Sequence, residues 1–286
     1  KRQVKGWKDR VPVVAVSRQP LREPVNETEY VPARNGEFAD DFEAAEELYR
    51  QGRYDDAFRQ FDELHKADPR NFPVNFRLAQ YYQRNGETEE ARNHWMAAKQ
   101  ANPNHPRVWA MAGVYHLLKA LEIYETRRTE PAAVEELNTE LDGAVTDFER
   151  ASHLSRKAFD TTLEHYCRSL LAVALLIRRT DPDIAEGREL VQELERWAPS
   201  SNLMWILRSI AKMLSVAASG TEAEFKDALG ITDVPEGSTD ESFIESEADA
   251  VTKQAKDKLK YLKKHDCMNG DTIQVDDLEI LISLAE

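Results

Sequence analysis

Residues 38–69 read FADDFEAAEELYRQGRYDDAFRQFDELHKADP, and residues 72–103 read FPVNFRLAQYYQRNGETEEARNHWMAAKQANP. Set 34 positions apart, the two lines share their punctuation: Gly52, Ala57, Phe61 and Pro69 return as Gly86, Ala91, Trp95 and Pro103. Leu48 returns as Tyr82, and Ala44–Ala45 as Leu78–Ala79. The residue types suit two antiparallel helices per unit. Small residues let the helix backbones approach, while Phe61 and Trp95 fill the space between one pair and the next. Gly52 and Gly86 stand where a first helix ends, a place where a left-handed residue costs little. Pro69 and Pro103 stop the second helix.

Working outward, the pattern continues with irregularities. Trp109, Ala112, Gly113 and Tyr115 fit the first helix of a third unit within residues 107–127. That helix is apolar on most sides, which predicts burial on both faces. Its partner supplies Ala144, Phe148 and Ala151 only 19 residues late, so an insertion around Thr129–Glu140 is expected to lengthen this hairpin. Leu170–Ile177 followed by Val191, Leu194 and Pro199 suggests a fourth unit; Trp205, Phe225 and Ala228 suggest a weak fifth. After an acidic loop at 231–242, the stripe Ile244, Ala248, Val251, Ala255, Leu259 and Leu262 marks one long amphipathic helix. Lysines 253, 256, 258, 260, 263 and 264 crowd its second half, where cations complement a helix C-terminus. A short helix near 275–285 would close the chain, since a terminal repeat otherwise exposes its stacking face.

With this spacing and these residue types, residues 38–103 resemble the tetratricopeptide repeat family. The resemblance implies an all-α, right-handed superhelical solenoid of antiparallel helix pairs. The expected organisation is an extended N-terminal arm at 1–37, the repeat domain at 38–230, the acidic loop at 231–242 and C-terminal capping helices at 243–286. The family's first helices line a concave groove that binds extended peptides or partner helices. Carried over position by position, that groove takes Phe42, Glu46, Tyr49 and Arg50 from the first repeat. The second contributes Phe76, Gln80, Gln83 and Arg84, and the third Arg107, with Ala110 and Val114 beside it. Phe42 and Phe76 have the alternative of packing against neighbours or the N-terminal strap. The family's carboxylate clamp for chaperone tails falls at Phe42, Glu46, Arg77, Arg107 and Met111 here. Only Arg107 keeps the required charge, so a chaperone-tail role is not expected.

Composition narrows the function. The 286 residues carry a net charge of −14 at pH 7, which disfavours nucleic acid as the main partner. The average hides an asymmetry: residues 1–22 hold seven Lys and Arg against Asp9 alone. This basic stretch reads either as a solvated tail or as a segment next to a membrane anchor or a cleaved leader. The second reading, with no Met at position 1, leads to the expectation of an upstream segment and a membrane-anchored, organellar or periplasmic location. Contact with a membrane surface or a membrane protein would then run through residues 1–22. Residues 11–16, VPVVAV, are β-prone and precede Pro20, Pro24 and Pro32. They suit addition to a partner's sheet edge, a groove-lying strap, or a tether.

No catalytic, metal or cofactor constellation is legible. The glycines form no phosphate-binding loop, and there is no H-E-x-x-H. Glu164–His165–Tyr166–Cys167 are adjacent and must diverge on a helix. His94 and His105 flank a repeat boundary but lack a third ligand. Cys167 and Cys267 stand alone, without a framework spacing. The expected function is a noncatalytic protein–protein interaction scaffold, a subunit or assembly factor using the groove and the N-terminal arm. The alternative is a regulatory peptide sensor with a ligand-responsive groove.

Overall fold

The computed structural model describes residues 36–127, 130–197, 202–219, 240–265 and 275–285. Among these the fold is all-α, with helices in sequential antiparallel pairs and no strand. α1 (Gly36–Arg50) pairs with α2 (Tyr54–Ala67), and α3 (Phe72–Arg84) with α4 (Thr88–Ala101). α5 (Pro106–Arg127) pairs with α6 (Pro131–Lys157), and α7 (Thr161–Arg178) with α8 (Asp181–Glu195). α9 (Asn202–Ala217), α10 (Asp240–His265) and α11 (Val275–Ala285) complete the described chain.

Local chemistry sets the helix ends. Gly52 and Gly86 take φ of +76° and +74°, in the left-handed region that glycine enters without strain. After α1, the Gly52 N–H donates to Tyr49 O and the Arg53 N–H to Leu48 O, each at 3.0 Å, which satisfies carbonyls the helix leaves open. The same two bonds close α6, from Phe159 to Arg156 O and from Asp160 to Ser155 O, but here the left-handed residue is Phe159, at φ +58° and 89% exposed. The Asn71 side chain caps α3 by accepting from the Val74 N–H, and Asp160 caps α7 by accepting from the Leu163 N–H.

The knobs of the repeat are interior: Phe61 is 2% exposed, Trp95 1% and Phe148 0%. The insertion expected around Thr129–Glu140 is taken up largely as helix. α5 runs for 22 residues and α6 for 27, against 13 to 15 in the first four helices. Gly113 on α5 makes this crossing close, since a Cβ there would sit 2.7 Å from the Phe148 ring. Lys99 on α4 binds both oxygens of the buried Asp147 on α6, at 2.7 and 2.8 Å, and ties the second pair to the third. Burial raises the Asp147 carboxyl above its ordinary value, while Lys99 pulls it back down.

The largest core cluster joins α5, α6, α7, α8 and α9 to α10 and α11. Within the α10 stripe, Ala255 and Leu259 are buried and Val251 packs beside them. α10 starts at Asp240, ahead of the expected residue 243. α11 does more than extend the stack: it packs on α9 and α10 and also reaches back to α5. Its apolar face, with Leu278, Leu281 and Ile282 buried, therefore covers part of the surface made by the first helices of the later pairs. The N-terminal arm with residues 11–16, most of the acidic loop, Pro199, Phe225, Ala228 and Cys267 lie outside the described residues.

Candidate interaction face

The residues expected to form a groove fall into three groups. Phe42 and Phe76, each 3% exposed, are interior, which corrects their placement on a contact surface. Phe42 meets Phe61 with ring centroids 5.7 Å apart, and Phe76 meets Trp95 edge-on at 5.3 Å. Each fills its own helix pair and the seam with the next first helix, α3 for Phe42 and α5 for Phe76, because a large apolar side chain is stabilised most where it is dehydrated on all sides.

The second group is organised by Arg77, which the sequence reading considered only as a departure from a clamp. Its Nε and Nη2 donate to Glu46 Oε1 and Oε2 at 2.6 and 2.8 Å, and its Nη1 donates to Gln80 Oε1 at 2.9 Å. The guanidinium also lies over the Tyr49 ring, 4.6 Å from the centroid. The ion-pair side chains are only 12% and 7% exposed, so Glu46 is committed across the α1–α3 contact and is not offered to a partner. Residues 46 and 77 lie 31 apart, one helical turn short of the 34-residue period, and opposite charges at that spacing were the available signal. Gln83 is committed as well, its Oε1 accepting from Trp95 Nε1 at 2.9 Å.

The third group remains at the surface. Arg50 is exposed and pairs with Glu47 at 3.0 Å. Arg84, 34 residues later, is exposed and lies over the Tyr54 ring at 4.2 Å. Tyr49 packs edge-on against Tyr54 at 5.1 Å and is half-buried, and Arg107 is exposed at the start of α5. The face of α1 and α3 thus presents two arginines at repeat spacing around tyrosine rings, above a fixed buried ion pair. Such a surface suits carboxylates and backbone carbonyls, which guanidinium groups bind with directional hydrogen bonds.

The residues weighed for chemistry diverge. Glu164 pairs with Arg156 at 2.8 Å, His165 packs on Trp197 at 5.0 Å, and Cys167 is fully buried with its thiol held above the usual range by desolvation. The imidazole that meets His94 is His65 of α2, at 4.9 Å, whereas His105 packs on Phe72. Among the described residues no group of three or more His, Cys, Asp or Glu is placed to hold a metal ion, and no helix is long and apolar enough to cross a membrane.

The family profile described as the tetratricopeptide repeat matches residues 48–113. No curated protein matches the chain. Among solved structures, the crystal structure of PilW, described as a widely conserved type IV pilus biogenesis factor, is similar at 14% identity and a TM-score of 0.42, over 81% of this chain and 94% of that one. With helix pairs repeating at 34 residues and the profile match lying on them, residues 48–113 are tetratricopeptide repeats, a helix-pair scaffold for protein–protein interaction.

Proposed function

We propose that this scaffold is a noncatalytic subunit or assembly factor of a larger complex. It would engage its partner through the exposed face of α1 and α3, with the basic residues 1–22 of the N-terminal arm as a second contact beside a membrane surface or membrane protein. The observation that carries the reading is Arg77. One nearly buried guanidinium joins Glu46, Tyr49 and Gln80 across two repeats, so the face is fixed before any partner arrives. A preorganised face loses less entropy on association than a mobile one. α11 covers part of the first-helix surface at the other end of the stack, which leaves α1 and α3 as the first-helix face best suited to a partner.

The test is a photo-cross-linking residue at Tyr49 of the full chain, expressed in its native cell, in wild-type and Arg50→Glu/Arg84→Glu backgrounds. The expected result is one defined adduct that the charge reversal removes. Recovery of the uncross-linked monomer alone, at several salt concentrations, would overturn the proposal.

A further inference from the structure

A cleft lies away from the α1–α3 face, where the end of α8 meets α9 and α10. These three helices enclose a cleft of about 380 Å³, within the range of roughly 300–1,000 Å³ typical of ligand sites. Its floor is aliphatic, with Val191 and Leu194 from α8, Ala211 from α9 and Val251 from α10. Two indoles wall it. Trp197 is 56% exposed although its ring rests on His165, and Trp205 is half-buried with Lys258 Nζ 5.6 Å from its centroid.

The charges in this cleft run against the chain's net charge of −14. Among the described residues Arg196, Arg208 and Lys212 line it, with Glu195 the one carboxylate beside them. Glu195 is taken by Lys212 at 2.7 Å, and the nearby Glu193 is taken by Arg168. Arg208 donates from Nη1 to the Trp197 carbonyl at 2.6 Å, a neutral acceptor that leaves its charge without an ion-pair partner of its own among the described residues of the cleft. Burial lowers the Arg208 guanidinium from its ordinary value, with only Glu195 acting against this. A partly dehydrated cation short of anionic contact gains most from an incoming carboxylate.

We infer that this cleft binds an acidic segment of a protein partner, with an aliphatic side chain seated on the Leu194–Val251 floor between the indoles and an adjacent Glu or Asp carboxylate on Arg208 and Arg196. The occupant follows from charge and shape together. A net-positive site in a chain of net charge −14 selects an anion, while the apolar floor demands more than a bare ion. The site is separate from the α1–α3 face, and each can fail without the other.

The experiment titrates the ¹⁵N-labelled full chain with acetyl-Glu-Leu-Glu-amide and follows the indole N–H signals of Trp197 and Trp205, assigned by Trp→Phe variants. Acetyl-Gln-Leu-Gln-amide and acetyl-Glu-Gly-Glu-amide are the controls for charge and for the aliphatic group. The expected result is saturable shifts at both indoles with the first peptide, and binding at least fivefold weaker with either control. Arg208→Gln should weaken binding about tenfold. Glu195→Gln, which removes a repelling carboxylate, should tighten it about threefold, and this gain cannot come from a folding defect. Absence of shifts, equal response to all three peptides, or unchanged affinity in Glu195→Gln would overturn the inference. So would a response of the two indoles to phosphatidylcholine–phosphatidylglycerol vesicles with none to the peptide.

Discussion

Replacing Gly113 by Ala places a Cβ 2.7 Å from Cε1 and 2.8 Å from Cδ1 of Phe148. Two effects compete. In the middle of α5 the substitution removes the excess backbone entropy of glycine, a gain of about 1 kcal/mol. Against it, one methyl is forced into a packed interior, which costs about 1–3 kcal/mol. The upper part of that range applies, because the Phe148 ring is rigid and fully buried, and Val114, Leu117, Leu141 and Ala144 in the same cluster are at most 1% exposed. The net expectation is a loss of about 1–2 kcal/mol and a fall in Tm of roughly 2–6 °C. Circular dichroism at 222 nm during heating, with urea midpoints beside it, measures both. Phe148→Leu should relieve the clash, so the Gly113→Ala/Phe148→Leu cycle should show a favourable coupling of about 1 kcal/mol or more. A Gly113→Ala protein as stable as wild type, or more so, would refute the close α5–α6 crossing.

Glu46→Ala strands a nearly buried guanidinium and should destabilise the protein by about 3 kcal/mol in urea unfolding, whereas Glu46→Met/Arg77→Met should recover most of the loss; a cost below about 1 kcal/mol for Glu46→Ala would count against the ion pair. The His94 imidazole is lowered to about 4, first by burial and then by the neighbouring His65. The unfolded chain therefore takes up this proton first, and the stability His94 contributes above its ordinary value of 6.5 is lost as the pH falls toward 4. After allowance for partial exposure this is about 1–2 kcal/mol; urea midpoints at pH 7, 5.5 and 4.5 should fall more for wild type than for His94→Gln, and parallel lines would refute it. Phe159→Gly should raise stability by about 1 kcal/mol, because the left-handed backbone is relieved and an exposed ring is given up, while Phe159→Ala should be near neutral; thermal melts of both variants decide it.

Much of the fold was legible because its signals are local. A glycine that must turn left-handed, a proline that stops a helix and an aromatic at a fixed place in each hairpin act within a few residues of themselves, and their recurrence at 34 needs no knowledge of the third dimension. The third hairpin shows where that ends. The late arrival of Phe148 signalled extra residues, but whether they form a loop or more helix depends on what they pack against, and they lengthen α5 and α6.

The face was less legible. Apolar, amide and arginine positions on a first helix look alike whether they point outward or into the next pair. Packing against the partner helix and the next first helix puts Phe42 and Phe76 inside and leaves Arg50 and Arg84 at the surface. The Glu46–Arg77 pair and the α8–α10 cleft join residues dozens of positions apart, so they depend on helix crossings that no single-helix pattern encodes. The sequence by itself determined that this is a repeat of helix pairs, because hydrophobic period and helix termini are properties of neighbouring residues. Only the tertiary structure decided which polar groups are committed inside, that the last helix returns to α5, and where cations and indoles converge, because those follow from distances between helices and not from spacing along them.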